Sequence, residues 1–152
     1  MKYLVIDTCI VLHILRGKQQ GLKCIDAINQ YDSNVAIIVS VVTKAELEAL
    51  KIKRGWGEPR CKALRTFLEK VIYVDISNTD DLLIESYSRI DAYSQRILPD
   101  NNGVMLKGSA KKMGKNDVWT AATALALDVP LMTADNDFDH LDNTLMSVIK
   151  IQ

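Results

Sequence analysis

Short apolar runs alternate along this chain with longer polar or amphipathic segments, and that alternation admits few folds. Residues 2–6 read as a buried first strand. Thr8 to Arg16 reads as a helix stopped by Gly17, a glycine C-cap. A polar helix over about 18–31 follows, then a Val/Ile-rich strand from Val35 to Val42 and a helix from about Thr43 to Arg54. Gly55 to Pro59 is a turn. A helix over about 60–69, a strand from Val71 to Ile76 and a helix over 79–97 come next. An irregular stretch spans about 98–115, where Pro99, Asn101, Asn102, Gly103, Gly108 and Gly114 discourage regular structure. The chain then resumes with a helix from Asp117 to Leu127, a strand from Val129 to Thr133 and a last strand from Met146 to Ile151. Strands alternating with helices predict an α/β fold, a parallel sheet with helices on both faces. With 152 residues, one domain spanning 1–152 is expected.

Acidic residues stand where the chain leaves its apolar segments. Asp7 ends Tyr3-Leu-Val-Ile; Glu46 lies in Ser40-Val-Val-Thr-Lys-Ala-Glu; Asp117 opens an Ala-rich helix; Asp135 follows Val129-Pro-Leu-Met-Thr-Ala. Acids at the exits of parallel strands converge on one edge of the sheet, where α/β proteins place their sites. Clustered carboxylates repel, and a divalent cation relieves them. Each acid also has a purely local reading. Asp7 suits an N-cap, Glu46 matches a capping box with Thr43, and Asp117 follows Asn116, itself a good cap. Ala121, Ala122, Ala124 and Ala126 make the last helix thin, which lets its backbone approach the sheet and brings Asp117 near the edge. Asp137 and Asp139 compete with Asp135, but the glycine and final Glu of a calcium loop are missing. Asp137 is the second choice, acting through a water. Phe138 and Leu141 are assigned to the core. His13 sits among apolar residues and His140 in an acidic loop, so neither builds a ligand cluster. Without a nucleophile–base pair, metal-assisted hydrolysis is the simplest chemistry.

Charge is zero overall but segregated. Residues 44–70 hold eight Lys/Arg against four acids, 107–116 hold four Lys and no acid, and 117–142 hold six acids and no Lys/Arg. An acidic pocket rimmed by basic segments has this pattern and steers a polyanion, although solvated helix faces produce it as well. Lys107, Lys111, Lys112 and Lys115 are candidate phosphate contacts. Three cysteines without ligand spacing, Cys9, Cys24 and Cys61, read as neutral thiols rather than a disulfide framework. No apolar run approaches the roughly 20 residues of a membrane span, and Asp7 interrupts any secretory start, so a cytoplasmic protein is expected.

Four pieces together carry a family resemblance: Val5-Ile-Asp7-Thr8; Ser40-Val-Val-Thr43-Lys-Ala-Glu46-Leu47; Gly114-Lys-Asn116-Asp117-Val-Trp-Thr-Ala121-Ala122; and Leu131-Met-Thr133-Ala-Asp135-Asn-Asp137-Phe138. Their order and spacing resemble the PIN-domain ribonucleases, most closely toxins of the VapC type. The resemblance implies a three-layer α/β/α fold around a mostly parallel sheet, a Mg²⁺ or Mn²⁺ site, RNA cleavage, homodimerisation and a cognate VapB-type antitoxin. It implies Asp7, Glu46 and Asp117 as catalytic metal ligands, with Asp135 completing the site directly or through water and Thr8, Thr43, Asn116 and Asp137 behind them. Leu12, Leu15, Leu64, Phe67 and Leu68 are candidate apolar helix surface for the dimer, with the core as their alternative place. The stretch at 98–115 is longer than the family pattern. Two rivals stand beside this reading. A haloacid-dehalogenase-type phosphatase wants a second Asp two residues after the first, where this chain has Cys9. A non-catalytic RNA- or protein-binding PIN-like domain would have little use for all four acids.

Overall fold

The computed structural model describes residues 1–78 and 80–152. Among these, the chain forms five strands, six α-helices and one 3₁₀ helix. In order they are β1 (Tyr3–Ile6), α1 (Thr8–Arg16), α2 (Gln19–Tyr31), β2 (Ala36–Ser40), α3 (Val41–Lys53), α4 (Glu58–Leu68), β3 (Ile72–Val74), α5 (Asp81–Ser94), α6 (Lys115–Leu127), β4 (Leu131–Thr133), the 3₁₀ helix (Asn136–Leu141) and β5 (Val148–Lys150). The strands lie in the order β3-β2-β1-β4-β5. All four pairings are parallel, with Val5 opposite both Ile38 and Leu131. β1 is central, so every residue that follows it emerges at the middle of the sheet's carboxyl edge.

Successive side chains of a strand point to opposite faces, and the core divides accordingly. Leu4, Ile6, Val39 and Met132 face one layer, built from α1, α2, α3 and α4 through Ile10, Val11, Leu47 and Leu64. Val5, Ile38 and Leu131 face the other, built from α5 and α6 through Leu83, Ile90, Val118 and Ala121. This is the expected three-layer α/β/α arrangement. Ala121, Ala122 and Ala124 are wholly buried, and α6 packs on β1 and β2. Phe138 and Leu141 are core, as expected.

Gly17 ends α1 at φ 64°, and its N–H reaches the carbonyls of His13 and Ile14. Gly21 lies so close to α1 that a Cβ there would sit 2.3 Å from the His13 carbonyl oxygen. The α1–α2 hairpin therefore needs glycine at both positions, one for backbone conformation and one for space.

Several boundaries differ from the sequence reading. The second strand stops at Ser40, whose hydroxyl caps α3 by accepting from the Val42 N–H at 3.2 Å. The capping box expected at Thr43 is thus replaced by a cap three residues earlier, and Thr43 is wholly buried in the first turn of the helix. α6 begins at Lys115 behind Gly114, so Asn116 is its second residue rather than its cap. α5 is capped by Asp80. Position 79, where the sequence reading starts that helix, lies outside the described residues. The stretch from Gln95 to Gly114 has no helix or strand, yet it is anchored. Asp100 N–H bonds Val104 O at 2.8 Å, Lys111 N–H bonds Ser94 O at 2.7 Å, and Leu106 is buried.

Candidate active site at the carboxyl edge

Asp7 leaves β1 and caps α1, accepting the Ile10 N–H through Oδ1 at 3.1 Å. The local reading of this residue is therefore correct, and it does not exclude a second role. The same oxygen accepts from the Cys9 thiol at 2.9 Å, while Oδ2 accepts from the Thr133 hydroxyl at the end of β4. Asp7 is only 6% exposed. Burial raises its pKa from the usual carboxylate value; the Cys9, Thr133 and Ile10 hydrogen bonds pull it back, and Asp135 adds to the rise. Burial and the Asp7 charge push the Cys9 thiol up to about 12, which keeps it a neutral donor.

Thr133 joins three elements. Its hydroxyl donates to Asp7 and accepts the Asp135 N–H at 2.9 Å. Asp135 in turn caps the 3₁₀ helix, accepting the Asp137 N–H at 2.9 Å. That turn aims Asp137 back toward the start of α6. Carboxylate oxygens of Asp117, Asp135 and Asp137 lie within 4.8 Å of one another. Burial first, then the charges of Asp135, Glu46, Asp137 and Asp7, raise the Asp117 pKa from 3.8 to about 6. Of the four sequence-selected acids, Asp117 and Asp135 thus meet directly, joined by Asp137, while Glu46 and Asp7 bear on Asp117 through their charge.

Glu46 faces this group from α3. Its Oε1 accepts from the Thr8 hydroxyl at 2.9 Å, and Thr43 Oγ lies 3.4 Å from the same hydroxyl. Thr8 is thereby committed to orienting Glu46, and the buried Thr43 stands behind it. Asn116 is exposed and lines a groove with Val42, Glu46 and Lys53.

Among the basic residues, Lys111 and Lys112 line a cleft of about 590 Å³ shared with Asn136, Asp137, Asp139 and His140. Lys107 lies in a neighbouring depression, and Lys115 is exposed on the first turn of α6. His140, half-buried, bonds Ser94 through Nε2 at 2.7 Å. Burial lowers its pKa, and the nearby Lys111 charge lowers it further.

Sequence reasoning missed Thr133, Cys9 and Ser94. Thr133 had one legible signal, its place two residues before Asp135 at the end of an apolar run. Cys9 had its place two residues after Asp7, and Ser94 had none, because its side-chain partners His140 and Met113 lie in distant segments.

An open parallel sheet with carboxylates gathered at its central carboxyl edge defines an α/β protein with an acidic pocket at the usual position for a site. The PIN domain family model matches residues 4–143, and the chain belongs to that family. It is 26% identical over 138 residues to Ribonuclease VapC5 of Mycobacterium tuberculosis, covering 91% of this chain and 87% of that protein. Among solved structures it is similar in fold to VapBC2 from Rickettsia felis bound to a DNA fragment from their promoter, with TM-score 0.70, 18% identity and 99% of each chain covered. It is likewise similar to VapBC-5 from Mycobacterium tuberculosis, described as a member of the VapBC family of toxin-antitoxin systems, with TM-score 0.62, 20% identity, and 99% of this chain and 100% of that one covered.

Proposed function

We propose that this protein is a metal-dependent endoribonuclease and the toxin of a toxin–antitoxin pair, with a VapB-type protein as its antitoxin. The observation that carries the reading is the meeting of Asp117, Asp135 and Asp137 within 4.8 Å, with Asp7 and Glu46 alongside. Family membership, the ribonuclease relative and the fold neighbours from toxin–antitoxin complexes support it.

The residues present fit a divalent cation. The facing donors are carboxylate oxygens, the ligands of hard cations such as Mg²⁺ or Mn²⁺. Burial first, and then repulsion from the neighbouring acids, raises the pKa of Asp117, and a positive charge offsets that repulsion. Asp7, Glu46, Asp117 and Asp135 hold the ion in this reading. Asp137, whose carboxylate meets those of Asp117 and Asp135, would join them directly or through a water. When bound, the cation acidifies a water and neutralises charge on the scissile phosphate. Thr8 orients Glu46; Thr133 and Cys9 orient Asp7. Lys107, Lys111, Lys112 and Lys115 attract the RNA backbone as point charges.

The protein acts as a homodimer in this reading. Of the helix residues offered for it, Leu64 and Leu68 are core, while Leu12, Leu15 and Phe67 are partly buried against that core, and Leu15 and Phe67 line an open apolar groove with Ile14 and Ala63. Apolar surface is also open at Leu82, Ile84, Ile97 and Leu98. No helix among the described residues is long and apolar enough to cross a membrane.

Cleavage of single-stranded RNA by purified protein tests the proposal. Mg²⁺ or Mn²⁺ should support it, and Asp117→Asn should abolish it while the fold persists. Cleavage that survives exhaustive chelation, or an Asp117→Asn variant as fast as the parent, would refute the mechanism.

A further inference from the structure

The cleft beside the acids has two unlike walls. Lys111 and Lys112 stand on one side, and Asn136, Asp137 and His140 on the other. The lysines belong to a segment without helix or strand, which by itself does not hold them in place. Ser94, the last residue of α5 and 1% exposed, supplies the hold. Its carbonyl accepts the Lys111 N–H at 2.7 Å. Its hydroxyl oxygen meets His140 Nε2 at 2.7 Å and lies 3.5 Å from Met113 Sδ. One buried residue therefore grips the lysine segment through its backbone and the acid-bearing 3₁₀ helix through its side chain.

The charge balance of the cleft favours a polyanion. Asp139 is paired with Lys150 at 2.8 Å, so it does not cancel the lysines. Asp137 is drawn into the group with Asp117 and Asp135. Among the described residues, Lys111 and Lys112 face the cleft as unpaired cations, with Asp137 and the Asn136 amide opposite. A phosphodiester strand running from the acidic pocket would meet these groups next.

We infer that Ser94 and His140 are positioning residues: the Ser94 hydroxyl, set between His140 Nε2 on the acid-bearing 3₁₀ helix and Met113 Sδ next to Lys112, holds the lysine segment across the cleft from the acids, and so sets how tightly the RNA backbone beside the scissile phosphate is held. The inference rests on the ribonuclease reading above and adds the residues that fix its substrate affinity. A clamp of this kind governs binding and leaves the chemistry alone. Its loss raises KM and leaves kcat, which belongs to the carboxylates, near the parent value.

The test compares the parent with Ser94→Ala, Ser94→Thr and the double variant Lys111→Ala/Lys112→Ala, using a single-stranded RNA oligonucleotide. Ser94→Ala should raise KM about fivefold, the worth of one hydrogen bond, with kcat within about twofold of the parent. Ser94→Thr, which keeps the hydroxyl, should restore most of the affinity. The lysine variant should also raise KM, and adding Ser94→Ala to it should cost less than the product of the separate effects, because the two act as one unit. An unchanged KM in Ser94→Ala, or a fall in kcat at constant KM, would overturn the clamp. Should the parent cleave no RNA, the ribonuclease reading fails, and fluorescence anisotropy still decides the clamp. Equal RNA affinity of parent and Ser94→Ala across a salt series overturns it; weaker binding with a flatter salt dependence in the variant sustains it.

Discussion

Asp117 shows what a single residue in this pocket endures. Its carboxyl is partly buried and faces the charges of Asp135, Glu46, Asp137 and Asp7, which together lift its pKa from 3.8 to about 6. An acid whose pKa is higher in the folded than in the unfolded protein binds its proton more tightly when folded. Its contribution to stability is therefore full below about pH 4 and is lost as the pH rises through about 6. The metal-free parent should melt progressively lower over that window, and Asp117→Asn should lose less. Calorimetric melting of both proteins in chelator checks this, with Asp7 common to both and cancelling in the comparison. Equal pH profiles would contradict the electrostatic account. Divalent-cation affinity should run the opposite way, rising with pH through about 6 as the carboxyl sheds its proton.

At the level of elements, the site is built by how strands end. β1 and β4 are neighbours in register, Ile6 opposite Met132, so the residues just beyond each strand meet. Thr133 turns that meeting into a hydrogen-bonded unit with Asp7 and Asp135. Thr133→Val keeps the shape and removes the hydroxyl. It leaves a buried oxygen of Asp7 without its donor and should cost about 1–3 kcal/mol. Urea denaturation measures the loss, and a variant as stable as the parent would count against this role. The start of α3 offers a second test. Ser40→Ala should cost about 1 kcal/mol through the lost cap. Glu46 sits well inside α3, more than a turn beyond that cap, and the Thr8 hydroxyl that orients it belongs to α1. The variant should therefore leave RNA cleavage close to the parent's.

Over the whole molecule, the segregation of charge along the chain becomes a spatial arrangement. The acids gather at the central carboxyl edge, and Lys111 and Lys112 line the cleft beside them. Replacing Lys107, Lys111 and Lys112 with Ala should weaken RNA binding. It should also flatten the salt dependence, by about 0.7 in the log–log slope for each phosphate that no longer meets a lysine. Metal affinity, read separately by calorimetric titration with Mn²⁺, should stay near the parent's. An unchanged RNA-binding curve would assign these lysines to solvent alone. Light scattering at micromolar concentration checks the homodimer; a monomer there argues against it.

Much of this molecule is legible in its residues, for local reasons. Apolar runs of strand length, interrupted by helical segments, dictate a parallel sheet because crossovers leave no other economical pairing. An acid at the end of such a run must emerge at the carboxyl edge, which is why Asp7 and Asp135 could be singled out. Caps were harder, because a cap depends on where the strand before it stops. Ser40 rather than Thr43 begins α3, and Gly114 rather than Asn116 precedes α6, since sheet pairing and packing set those ends. Only the tertiary structure decided which groups meet. Thr133 reaches Asp7 across 126 positions, and Ser94 reaches His140 across 46. Asp137, second choice in the sequence, meets Asp117 and Asp135 because a 3₁₀ turn folds it back. Such contacts join segments whose sequences carry no mark of one another. They exist because strand order brings distant parts of the chain to one edge, where the burial of polar groups demands partners.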